Sequence, residues 1–158
     1  MVRRTLGIPT LLLSVAALCG SLPAQTGKTI TVRVLDSRTG ELIATPDYLV
    51  RINHEETIHA NWVTKNEDGT GKLTAPENAT VLAVQARFDL GMSIFLNCDN
   101  AKDGQNPVAR WYAVSDILTA GVAAPNGCGK RTAVAKPGEF VFFVHKQSWR
   151  QQLKDDSY

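Results

Sequence analysis

Between residues 28 and 88 the chain runs in short stretches of alternating apolar and polar side chains, each closed by Gly, Pro, Asn or Asp. A strand turns successive side chains to opposite faces, so such stretches bury one face and wet the other. In the first, Ile30, Val32 and Val34 share a side and Thr31 and Arg33 oppose them. Tyr48, Val50 and Ile52 repeat the pattern against Arg51, and Ile58, Ala60 and Trp62 repeat it against His59, Asn61 and Val63. Leu82, Val84, Ala86 and Phe88 form the strongest inward row. Turn chemistry separates them at residues 36–41 (DSRTGE), at residues 66–71 around Asp68-Gly69, and at Pro76 and Asn78. Many short strands with turns between them predict an all-β fold, a two-sheet antiparallel sandwich. Ile30, Val32, Val34, Val50, Ile52, Trp62, Leu82, Val84, Val141 and Phe143 are its expected interior.

After Phe88 the pattern loosens. Residues 92–96 (MSIFL) read as a strand and residues 99–107 as a polar loop. Residues 114–121 (VSDILTAG) read as one short helix, with Ser115 as its cap, Asp116 in its first turn and Gly121 at its end. Residues 122–138 carry Pro125, Gly127, Gly129 and Pro137 and read as loop; residues 139–144 (EFVFFV) are the most apolar strand, expected at the centre of a sheet.

The N-terminus reads as an export signal. Arg3 and Arg4 precede an apolar run, residues 11–18 (LLLSVAAL), that is too short to span a bilayer. Cleavage after Ala24 divides the 158-residue chain into a signal peptide (1–24), a β-sandwich domain (25–146) and a polar C-terminal tail (147–158), in which Trp149 and Leu153 can dock one helical turn. Cys19 raises lipidation, but Leu18 stands where a small residue is wanted, so loss of Cys19 with the signal is favoured. Removing Arg3 and Arg4 leaves the chain formally neutral, which gives no electrostatic footprint for nucleic acid. No later apolar run approaches a membrane span, so no transmembrane segment is expected in the processed chain. The expected location is periplasmic or secreted.

Cys98 and Cys128 then remain, an even count that in an exported chain reads as a disulfide bounding the short helix. Two independent buried thiols are the alternative. A zinc site is disfavoured because it wants four ligands.

The order strand, Asp-x-x-Thr-Gly turn, strand, Thr, Gly-rich turn, Leu, Pro resembles the carboxypeptidase regulatory-like, or transthyretin-like, sandwich. Val32, Val34, Asp36, Thr39, Gly40, Ile43, Thr64, Gly69, Leu73 and Pro76 carry the resemblance, which covers residues 28–88. Asn78-Ala79 stands where that family has Gly, and the Cys98–Cys128 region lies outside its pattern. The resemblance implies a transthyretin-like or Ig-like sandwich and leaves activity open. Transthyretin-like sandwiches include a purine-pathway hydrolase ending Tyr-Arg-Gly-Ser; this chain ends Lys154-Asp155-Asp156-Ser157-Tyr158, which disfavours that activity. The second half, through Ser115, Leu118, Gly121, Pro125, Asn126 and Cys128, is similar to small secreted bacterial proteins, a resemblance that implies no activity.

Candidate chemistry is sparse. His54 and His59 are five apart, whereas a helical zinc-protease motif needs four; on a strand an odd spacing puts them on opposite faces. His145 is the third histidine and nothing local joins it to them. Ser93, Ser115 and Ser148 lack a nucleophile-elbow context. The polar loop holding Asp99 and Asp103 lacks calcium-loop spacing. No catalytic residue, cofactor or metal is expected. Trp111 and Tyr112, with Asp99, Asp103 and Arg110 beside them, form the expected binding patch, because exposed aromatics and loops on a rigid frame carry recognition. The aromatic pair can equally plug the end of the core. The chain thus reads as an exported, non-catalytic binding or interaction module of the cell envelope, its partner a protein or carbohydrate. The alternatives are a small extracytoplasmic hydrolase using His54 or His59, and a purely structural envelope component.

Overall fold

A computed structural model describes residues 27–44, 47–55, 63–87, 95–99 and 110–146. Trp62, His59, Asp103, Phe88, residues 1–24 and the tail 147–158 lie outside them, as does most of the expected third strand. The strands are β1 (Gly27–Asp36), β2 (Asp47–Ile52), β3 (Val63–Lys65), β4 (Gly71–Pro76), β5 (Val81–Arg87), β6 (Phe95–Asn97), β7 (Tyr112–Ala113), β8 (Val122–Ala123) and β9 (Glu139–Lys146), and the helix α1 is Val114–Thr119. They make two sheets. The larger is ordered β3-β4-β1-β9-β6, with β8 also on β9; the smaller is β2-β5-β7. The chain is an all-β sandwich with its helix inside the span bounded by Cys98 and Cys128.

One expectation is corrected. The larger sheet is mixed rather than antiparallel, because β9 runs parallel to both β1 and β8. Adjacent parallel strands need a long crossover. Here β1 and β9 lie at opposite ends of the domain, so almost the whole domain serves as the connection.

Between the sheets Ile30, Val32 and Val34 from β1 and Val50, Ile52, Leu82 and Val84 from β2 and β5 are buried, as their alternation predicts. Phe140, Phe142 and Val144 of β9 join them, and the Phe140 and Phe142 rings stack with centroids 5.6 Å apart. Val141 and Phe143, expected in this interior, are buried on the other face of β9 with Leu35 and Cys98. The apolar run at residues 139–144 is thus covered on both sides, and no period of two could reveal which side faces the second sheet.

What covers the outer face is a strap, the residues 125–138 that follow β8, laid across β1 and β9. Cys128, Ala133 and Ala135 pack on Val141 and Phe143. Polar contacts fasten it. The Gly127 N–H donates to Cys98 O at 2.7 Å, the Asn126 amide to Ser37 O at 2.9 Å and the Arg131 guanidinium to Arg38 O at 3.1 Å. Arg33 donates to Val134 O at 2.8 Å while its Nε pairs with Glu139 at 3.0 Å. The disulfide between Cys98 and Cys128, with Cα atoms 5.2 Å apart, closes the fastening.

Local chemistry explains the turns. The Asp36 carboxylate accepts the Arg38 and Thr39 N–H groups at 2.8 Å each, making the turn after β1. Asp68 does the same between β3 and β4, taking the Thr70 N–H at 3.0 Å and its hydroxyl at 2.7 Å. The residue at the start of β4 must be glycine for another reason: a Cβ on Gly71 would stand 3.0 Å from the Tyr48 ring and 2.8 Å from Val63. The helix departs from expectation at its start. Ala113 is the cap and offers no side-chain bond, while Ser115 is already inside the helix and touches Asp116.

Candidate functional site

Three segments meet at one end of the sandwich: the turn leaving β2, residues 98–99 leaving β6, and residues 110–112 entering β7. Sequence places Trp111 and Tyr112 side by side; the strand separates them. Tyr112 turns inward, its ring 4.7 Å from Phe140 and its hydroxyl donating to Asp99 Oδ2 at 3.0 Å. Trp111 lies against the imidazole of His54, centroids 4.4 Å apart and planes tilted by 51°. Trp111 and Tyr112 are half-buried, and Arg110 and His54 are exposed. One ring thus closes the core end and the other lies on the rim.

Asn53 holds His54 in place. Asn53 and His54 both have positive φ, 52° and 62°, a conformation that Asn and His adopt more readily than most residues. The Asn53 side chain explains why it holds. Its oxygen accepts the Thr80 N–H at 2.8 Å and the Thr80 hydroxyl at 2.9 Å, and its amide donates to Asn78 O at 3.1 Å. The turn is thereby tied to the loop before β5, and His54 is set against the indole. Asn53 was not singled out from sequence; its only signal is an Asn directly after a strand.

Electrostatically, Asp99 dominates the site. Burial pushes its carboxyl above the ordinary carboxylate value, and the bond from Tyr112 and the charge of Arg110 offset only part of that. Oδ1 is shut off from solvent with no hydrogen-bond partner. The Tyr112 phenol is pushed up by burial and by the neighbouring carboxylate, so it acts as a fixed donor. The group offers an indole face, an imidazole and a guanidinium around an anchored carboxylate. It presents no nucleophile paired with a base.

The remaining histidine lies elsewhere. His145 sits on the outer face of β9, where burial and Arg38 hold it below its ordinary value and Asp36 opposes them. Among the described residues no three His, Cys, Asp or Glu side chains are grouped to hold a metal ion, and no helix is long and apolar enough to cross a membrane. The disulfide is compatible with a compartment outside the cytoplasm. No family profile, curated sequence or solved structure matches the chain.

Proposed function

We propose that this chain is a non-catalytic binding module of the cell envelope, exported after loss of residues 1–24, and that the rim formed by Arg110, Trp111 and His54 is its recognition surface. The observation that supports the reading is the division of labour at residues 111 and 112. Tyr112, bonded to Asp99 and packed on Phe140, fixes the backbone, and Trp111 is left on the rim against His54, while the charge of Arg110 acts on Asp99 and Tyr112. A rigid aromatic face suits a protein anchor or the face of a sugar ring, because little conformational entropy is lost on contact. The hydrolase reading has less support, since the ring against His54 is an indole, which neither gives nor takes a proton.

The test is capture from the envelope fraction, alongside a glycan array, with the wild-type protein and the Arg110→Ala/Trp111→Ala variant. Tyr112 is left intact so that the core end stays closed. Capture that survives in the double variant at wild-type strength moves the recognition surface elsewhere.

A further inference from the structure

The strap carries a feature the rim does not use. Its fourteen residues contain Lys130, Arg131 and Lys136 and no Asp or Glu, in a chain whose charges otherwise nearly cancel. Those three side chains are exposed, and so is Arg38, whose carbonyl receives the Arg131 guanidinium. Of the nearby acids two are engaged, and Glu41, next to the Gly40 against which Arg131 packs, is exposed. Glu139 pairs with Arg33 and accepts the Lys136 N–H, and Asp36 is bonded to the N–H groups of its own turn. Among the described residues none of the four exposed cations has a carboxylate in ion-pair reach. His145, facing the same side, is held below its ordinary value by burial and by Arg38, against Asp36.

Between Arg131 and Lys136 along the strap stands Val134, 84% exposed. Its exposure follows from how the strap is built. Ala133 and Ala135 turn inward onto Val141 and Phe143, so the residue between them must turn outward. Arg33 holds the Val134 carbonyl, and the disulfide holds the strap, so the valine cannot fold back under the surface. A rigid apolar knob flanked along the strap by exposed cations matches the layering of an anionic bilayer, with charge at the headgroups and hydrocarbon just beneath. It does not match a nucleic-acid or polysaccharide backbone, to which the valine adds nothing.

We infer that the strap face, through Lys130, Arg131, Lys136, Arg38 and Val134, is a docking surface for an anionic phospholipid membrane. Each cation near such a surface adds about a fivefold preference. Docking here leaves the rim free, and the inference stands whether or not the rim binds a partner.

The experiment is co-sedimentation of the protein, purified as its host processes it, with vesicles of phosphatidylcholine alone or of phosphatidylcholine with phosphatidylglycerol. The wild type should partition to the anionic vesicles well over tenfold more strongly, and the preference should collapse as salt shortens the screening length. Lys130→Gln/Arg131→Gln/Lys136→Gln should lose about a hundredfold. Val134→Ser, which leaves every charge in place, should lose about threefold or more. The side chains of Lys130, Lys136 and Val134 are exposed and fasten nothing, so unchanged melting temperatures should accompany the losses of Val134→Ser and of Lys130→Gln/Lys136→Gln, about twenty-fivefold for the latter. The triple variant also gives up the Arg131 bond to Arg38 O and should melt slightly lower, and the salt series needs no variant. Equal partition to neutral and anionic vesicles overturns the inference, as does wild-type binding by the triple variant. Binding to soluble polyphosphate as tight as to vesicles, with Val134→Ser unaltered on both, also overturns it in favour of a general polyanion site.

Discussion

Replacing Cys128 by serine removes the covalent tie between the strap and β6 while leaving the polar ties of the native state intact. The two cysteines are 30 residues apart, and closing a loop of that length restricts the unfolded chain by about 3.5 kcal/mol at 25 °C in the chain-entropy treatment. The strap remains fastened by Gly127, Asn126, Arg131 and Arg33. Most of the loss therefore falls on the unfolded ensemble rather than on native packing. For a domain of this size a loss of that order lowers the melting temperature by roughly 10–15 °C. Cys128 is half-buried, so its serine hydroxyl can reach water. Cys98 is fully buried beside Leu35, Val141 and Phe143, and Cys98→Ser should cost about 1 kcal/mol more because a hydroxyl is buried there with the Leu96 carbonyl, 3.8 Å from the sulfur, as a distant acceptor. Far-UV circular dichroism melts should show three things: a reduced wild type coincident with Cys128→Ser, a lower midpoint for Cys98→Ser, and the same strand signal before melting in all. A midpoint shift below about 3 °C for Cys128→Ser, where about 10 °C or more is expected, refutes the reasoning, as do two titratable thiols in protein kept oxidised.

Asn97 is buried in the core and its amide donates to Val84 O at 2.8 Å across the two sheets; Asn97→Leu should destabilise by about 2 kcal/mol in urea unfolding, and an unchanged midpoint removes that bond from the account. Gly121 and Gly138 both have φ near +78°, at +77° and +79°, but only at Gly121 would a Cβ collide with the Lys136 backbone. Gly121→Ala should therefore cost several kcal/mol and Gly138→Ala only about 1 kcal/mol, an order that equal losses would contradict. Asp99 has its carboxyl raised by burial, so its stabilising contribution is complete below its ordinary value of 3.8 and is lost as pH rises through the folded-state value. Asp99→Asn, which keeps an acceptor for Tyr112, should gain on the wild type as pH rises from that value toward neutrality, and a stability difference flat with pH sinks the assignment.

The strands β1, β2, β4 and β5 were legible because one face of each is apolar and meets the core while the other carries mostly polar or small side chains, and alternation records that difference. The turns at Asp36 and Asp68 were legible because their carboxylates do locally what the sequence suggests. β9 could be found but not oriented: both its faces are covered, so Phe142 and Phe143 look alike until the strap is in place. β7 and β8 are two residues each and exist only because a neighbouring strand offers bonds, which leaves no period to read. Ser115 failed as a cap because Val114 N is already satisfied by Thr80 O, so the helix starts two residues earlier than a Ser115 cap would set it. At the rim, Trp111 and Tyr112 were visible as residue types. Their opposite orientations depend on β7 pairing with β5, and the stack on His54 depends on the Asn53 turn, both long-range facts.

The parallel pairing of β1 with β9 also sets an order of events for the chain. Thr31 meets Glu139 and Asp36 meets Val144, roughly a hundred residues later. During synthesis, β1 must therefore wait with one edge and one apolar face uncovered until β9 arrives. High sequence separation of this kind slows folding, and unpaired edges in the interval invite association between chains. A nascent chain is thus held in an unfinished, sticky condition until β9 is delivered. A truncation that removes β9 leaves β1, β6 and β8 without a shared partner.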